Sequence, residues 1–88
     1  MQKTLEALSN TTRLKLLLCL SESEKNVTQL IDKCDLSQSA VSQHLKKLKD
    51  AGLIESKKSG REQIYKVRNI STIKIAKELL KFLEGNNI

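Results

Sequence analysis

Leu36-Ser37-Gln38-Ser39-Ala40-Val41-Ser42-Gln43-His44-Leu45-Lys46-Lys47-Leu48 is the stretch on which the reading of this chain turns. At about 100° per residue, Val41, Leu45 and Leu48 fall on one side of a helix with i, i+4, i+7 spacing. Ser39, Gln43, Lys46 and Asp50 lie opposite, and Gln38 and Ser42 flank them near the amino end. Ser37 is placed to cap this helix, which is expected to run over 38–51 and to stop at Gly52, a residue free to turn left-handed. An ordinary amphipathic surface helix would carry the same Lys, Gln and Ser on its outer side, so the pattern needs its context.

The context comes from both directions along the chain. Upstream, Asn26 caps a short helix over 27–33, with Gln29 at the third position in a capping-box arrangement and Leu30 and Ile31 as its buried side. Residues 34–37 form a tight turn. A short helix, a turn and a capped helix with a Ser/Gln-rich front is the order of a helix-turn-helix. Short polar side chains let such a helix sit deep in the major groove, where Gln can pair bidentately with adenine and Ser with several bases. Lys46, Lys47 and Lys49 would meet phosphates, which fix register without reading sequence.

Downstream, two extended runs over 53–58 and 63–67 are joined at 59–62 around Gly60 as a hairpin. Lys57, Lys58, Arg61 and Lys66 make it basic, as suits a wing reaching the DNA backbone beside the recognition helix. Farther out, helices are expected over 2–8, over 11–21 capped by Ser9 or Asn10, and over 71–84. The second of these is apolar most of the way round, with Leu14, Leu17 and Leu18 on one face and Leu16 and Leu20 on another, so it should be the central helix. The expected fold is mainly α with a small β-hairpin: one winged helix-turn-helix domain over 1–88, ordered ααααββα, and dimeric.

Composition narrows the partner. The 88 residues carry a net charge of +6, and residues 37–68, with eight Lys or Arg against three Asp or Glu, hold +5 of it. A cationic balance points to nucleic acid first and a membrane surface second. Phe82 and Tyr65 are the only aromatic residues. That leaves little platform for stacking unpaired bases and weighs against single strands or RNA loops. The longest apolar run, Leu16–Leu20, is too short to span a bilayer, and no signal peptide is read at the start. A cytoplasmic location and reduced thiols are expected. No Ser/His/Asp constellation or Gly-rich phosphate loop is evident, so an enzyme is not expected. His44, at the edge of the apolar face, reads as a structural or phosphate-facing imidazole.

The last helix carries two apolar stripes. Ile73, Ala76, Leu80 and Leu83 form one, and Ile75, Leu79 and Phe82 the other. One stripe suffices to dock the helix on its own domain, so the second asks for a partner.

Three stretches resemble the ArsR/SmtB family, and most of all its HlyU/BigR/NolR branch. They are Asn10-Thr-Thr-Arg-Leu-Lys-Leu-Leu, Leu36 through Leu48, and Ala51-Gly-Leu-Ile followed by the Gly60-Arg61 tip and Ile64-Tyr65. The resemblance covers about residues 3–83. It implies a homodimer formed by the first and last helices, residues 1–9 and 70–85 with Leu5 contributing. It also implies an inverted-repeat operator on double-stranded DNA, and repression as the usual output. Antirepression, or an adaptor role for the winged-helix scaffold, is the alternative. The expected DNA contacts are Ser37, Gln38, Ser39, Ser42, Gln43, Lys46, Lys47, Lys57, Lys58 and Arg61. The positions where many members place metal-binding cysteines hold Asn26 and Thr28, and the last helix has no His and only Glu78 and Glu84 as carboxylates. No metal or other cofactor is therefore expected. Cys19 resembles one redox cysteine of the branch, but the last helix lacks its partner thiol. Both cysteines read as small core residues, and Cys34 could join Cys19 only if the fold brings the two together.

Overall fold

The central helix, α2 (Thr11–Glu22), organises the rest of the computed structural model, which describes residues 2–85. Leu14, Leu16, Leu17 and Leu20 are all buried, so it contributes apolar side chains over most of its circumference. Around it pack α1 (Gln2–Leu8), α3 (Val27–Cys34), α4 (Gln38–Asp50) and α5 (Ser71–Leu83). The hairpin of β1 (Ile54–Ser59) and β2 (Glu62–Val67) lies between α4 and α5 in sequence. Leu30, Val41, Leu45, Leu48, Leu53, Ile54, Ile73 and Ala76 complete one aliphatic core.

Local chemistry sets the helix boundaries. Asn10 caps α2 by accepting the Arg13 N–H at 3.0 Å. Asn26 and Gln29 form a reciprocal capping box at the start of α3, with both bonds at 2.8 Å. Ser37 accepts the Ala40 N–H at 3.1 Å to start α4. At the other end of α4, Gly52 is left-handed (φ 78°). Its N–H reaches Lys49 O at 2.9 Å and the Leu53 N–H reaches Leu48 O at 3.0 Å, the paired bonds of a Schellman motif. Leu48 and Leu53 are both buried there, which supplies the apolar contact that usually accompanies the motif.

The strands pair antiparallel from Ile54↔Val67 to Ser59↔Glu62. The connection is two residues, Gly60-Arg61, rather than the four expected, because pairing runs to the very end of each strand. A second departure is larger. No strand is expected between α2 and α3, yet Lys25 is buried and pairs with Tyr65 as a one-residue third strand. Its backbone exchanges two hydrogen bonds with Tyr65, at 3.0 and 2.8 Å. Its ammonium folds back on the end of α2 and donates to Cys19 O at 2.8 Å, Ser23 O at 3.1 Å and Ser23 Oγ at 2.9 Å. The buried charge is thus satisfied by helix-end carbonyls and a hydroxyl.

Candidate nucleic-acid interface

The recognition helix α4 turns its apolar side inward: Val41, Leu45 and Leu48 are fully buried. With that side fixed, geometry points Gln38, Ser39, Ser42, Gln43, Lys46 and Lys47 outward, and all six are exposed, as is the capping Ser37. The polar edge is therefore available to a duplex along the amino-terminal turns, where small side chains permit close approach.

The cations of this surface are not equivalent. Lys46 pairs with Asp50 at 3.2 Å, one turn along α4. Lys49 donates to Ser56 Oγ at 2.9 Å and so ties α4 to β1. In the wing, Lys57 lies 3.9 Å from Glu24 and Lys66 lies 3.9 Å from Glu55, its cross-strand neighbour. Among the described residues, Lys47, Lys58 and Arg61 have no such carboxylate partner. Asn26, from the α3 cap, donates to Glu62 at 2.7 Å. The wing is thus held to the α3 end of the helix-turn-helix by Asn26–Glu62 and Glu24–Lys57. The sequence hid both links, because each joins residues more than thirty positions apart.

A second group missed in the sequence fixes α4 from behind. Arg13 is 8 % exposed. Its guanidinium donates to Ala7 O and Glu6 O, both at 2.9 Å, and lies 3.4 Å from His44 Nδ1. The last carbonyls of α1 are satisfied in this way, and α1, α2 and α4 meet at one side chain. Burial, then the positive charges of Arg13 and Lys47, hold the His44 imidazole below its ordinary pKa. A neutral ring accepting from Arg13 at Nδ1 carries its proton on Nε2. His44 is therefore a structural strut.

The last helix resolves into its two stripes. Ile73 and Ala76 are buried against this subunit's own α2, so they cannot supply contact area to a partner, and their place among the expected dimer contacts is corrected. Leu79 and Leu80 are half-buried. Leu5 (63 % exposed), Ile75 (56 %), Phe82 (63 %) and Leu83 (43 %) stand open, together with Ile70 at the start of α5, which the stripe analysis did not include. Ile75, Leu79 and Phe82 line one shallow apolar groove between Lys74 and Glu78.

Among the described residues, no group of three or more His, Cys, Asp or Glu converges as a metal site, and no helix is long and apolar enough to cross a membrane. Cys19 and Cys34, expected as small core residues, are partly buried against the core and line one cleft.

With the helix, wing and cap geometry in place, comparison with known proteins fixes the family. The family model for bacterial regulatory proteins of the arsR family matches residues 10–56, from the cap of α2 into β1. The chain belongs to the ArsR family. It is 39 % identical over 85 residues to the HTH-type transcriptional regulator MJ0229 of Methanocaldococcus jannaschii, covering 92 % of this chain and 88 % of that one. It is 43 % identical over 63 residues to the HTH-type transcriptional repressor SmtB of Mycobacterium tuberculosis, covering 72 % of this chain. The match spans about half the length of that repressor, 47 %. The structure of reduced HlyU from Vibrio cholerae superimposes with a TM-score of 0.77 at 34 % identity, over 92 % of this chain and 84 % of that one. The ArsR-family relatives are transcriptional regulators, not enzymes, and this chain shares their winged helix-turn-helix.

Proposed function

We propose that two copies of this ArsR-family chain pair through α1 and α5 and present their α4 helices to an inverted repeat in double-stranded DNA, repressing transcription by occupying it. The observation that carries the reading is the outward edge Gln38–Lys47, wholly exposed on a helix whose opposite side is fully buried. Gln38, Ser39, Ser42 and Gln43 read base edges. Lys46, Lys47, Lys58 and Arg61 hold phosphates, with Ser37 at the helix start and Lys57 at the wing edge beside them. Repression is the output named for SmtB. HlyU of Vibrio cholerae, 37 % identical over 76 residues, is named a transcriptional activator, so the sign of the output needs its own test.

Selection of bound duplexes from a random-sequence pool tests the assignment. A single palindromic site should emerge, bound with an affinity on the order of nanomolar and with steep salt dependence. Diffuse, salt-labile binding with no enriched site would instead mark a protein-interaction adaptor. A reporter driven from the selected site then gives the sign: expression falls on adding the protein if it represses.

A further inference from the structure

We infer that Asn26 and Glu62 are positioning residues for DNA binding, on the reading proposed above: their hydrogen bond holds the wing tip where Lys58 and Arg61 meet phosphates. Asn26 Nδ2 donates to Glu62 Oε1 at 2.7 Å. Glu62 directly follows Arg61 and opens β2 in the last pair of the hairpin, Ser59↔Glu62. The bond thus grips the ribbon one residue from the tip cation.

The tip needs such a hold. Residues 57–63 are all exposed, so apolar packing does not anchor this part of the ribbon. A two-stranded hairpin is marginal by itself. The base of the wing is anchored in other ways. Ile54 is buried in the core, Lys49 donates to Ser56 Oγ at 2.9 Å, and the backbones of Lys25 and Tyr65 exchange hydrogen bonds at 3.0 and 2.8 Å. Side chains alternate along extended chain, so Glu24 and Asn26, on either side of Lys25, fall on one face of this patch. Lys57 and Glu62 share a face of the ribbon through the pairs Lys57↔Ile64 and Ser59↔Glu62. The two faces coincide, since Glu24 meets Lys57 at 3.9 Å and Asn26 meets Glu62. The Glu24–Lys57 pair is long and exposed and contributes little. The shorter bond to the Glu62 carboxylate is charge-assisted and the stronger of the two.

Asn26 serves both ends of the link with one amide. Its Oδ1 accepts the Gln29 N–H at 2.8 Å and caps α3, which leaves Nδ2 to donate to Glu62. Turned end for end, the amide would lose both bonds, so the cap fixes the donor toward the wing. Ser and Asp cap a helix about as well as Asn. Asp carries no donor, however, and Ser carries only the one short oxygen that the cap occupies. The start of α3, the first helix of the helix-turn-helix, is thereby tied to the wing. With the bond broken, Lys58 and Arg61 sample many positions, and fixing them on phosphate costs entropy that the bond removes in advance.

Three variants of the full chain test this. Asn26→Ser keeps the cap and the net charge but removes the link. Glu62→Ala removes the acceptor and leaves the cap untouched. Glu62→Gln keeps an acceptor oxygen for Asn26. Without DNA, backbone order parameters from amide nitrogen relaxation at Gly60 and Arg61 should fall in the first two and stay near the unaltered values in the third. If Asn26→Ser loosens α3 itself, Glu62→Ala gives the same readout with the cap intact. An equally ordered tip in both would overturn the link. On the selected palindrome, Asn26→Ser alone should weaken binding about fivefold. Arg61→Ala should cost about tenfold in the unaltered chain, at most about twofold beside Asn26→Ser, and again about tenfold beside Glu62→Gln. Equal losses in all three backgrounds would overturn the role in aiming the tip. Failure of the unaltered chain to select any duplex, with tip order falling as expected, would instead count against the DNA-binding reading alone.

Discussion

The helices α4 and α5 are each thirteen residues long, each docks one apolar side on the same core, and they differ in what they leave outside. α4 exposes Gln38, Ser39, Gln43 and Lys46, whereas α5 exposes Ile75, Phe82 and Leu83. An exposed edge of small amides and hydroxyls with lysines has no reason to leave water except for a surface of complementary charge and hydrogen-bonding groups. A cluster of exposed aliphatic and aromatic groups is stabilised by any apolar surface that covers it. From one scaffold, then, the outer composition of a helix assigns it to nucleic acid or to protein. In this chain the two assignments depend on each other, because a palindrome rewards the recognition helices only when they are paired.

The sharpest way to break the contrast is to convert the α5 face to the character of α4. Ile75→Lys combined with Phe82→Lys places charge at two exposed positions, so each subunit should stay folded by circular dichroism. Sedimentation should show the assembly falling to monomers. Affinity for the selected palindrome should drop about a thousandfold, toward the level of non-specific binding. Unchanged sedimentation would show that α5 is not the pairing face.

The reciprocal change acts on α4 and should be smaller. Gln43→Ala removes a potential bidentate contact to one base pair. It should reduce affinity for the preferred site by about 1–3 kcal/mol, with little effect on unrelated duplexes. Competition binding against a panel of single-base variants measures this. A uniform loss across the panel would mean that Gln43 touches only backbone, and an unchanged panel would move the reading edge elsewhere.

A third change asks whether charge on the α4 edge is held in check within the subunit. Asp50 faces Lys46 and stands in the last turn of α4, where the helix dipole disfavours a negative charge. Asp50→Asn should lose no more than about 0.5 kcal/mol of pair energy, since both partners are exposed. It should also raise affinity for all duplexes a few-fold by releasing Lys46 to phosphate. The slope of log K against log salt should steepen slightly. A fall in affinity would show that Asp50 orients Lys46 rather than competing for it.

Much of this was legible in the sequence, for a physical reason. The caps at Asn10, Asn26 with Gln29, and Ser37 act over three residues, and the left-handed stop at Gly52 acts within one turn. Periodicity alone places Val41, Leu45 and Leu48 inside and Ser39 and Gln43 outside. What stayed hidden is non-local. Lys25 gives no local sign of its strand pairing because its partners are Tyr65, forty residues on, and a helix end that folds over it. Periodicity separates the two stripes of α5, but only packing shows that Ile73 and Ala76 face α2 while Phe82 faces solvent. That Cys19 and Cys34 line one cleft depends on how α3 crosses α2, which neither local pattern specifies.

The smallest effect tests the link between the two faces. Arg13 joins the end of α1, at the pairing side, to His44 on the flank of α4, and it can do so only while the ring is neutral. The folded-state pKa of His44 is lowered, so the unfolded chain binds the proton more readily. The stabilisation linked to this ring is therefore complete above the ordinary histidine value of about 6.5 and is lost as pH falls below it toward the folded pKa. Denaturation midpoints measured from pH 7.5 to 5 should decline across that window in the unaltered chain. In His44→Gln the decline should be shallower, because its amide does not titrate there while its oxygen can still accept from Arg13. Identical pH profiles for the two proteins would mean that the acid sensitivity arises elsewhere. The Arg13 strut would then hold α1 and α4 together without regard to the charge on His44.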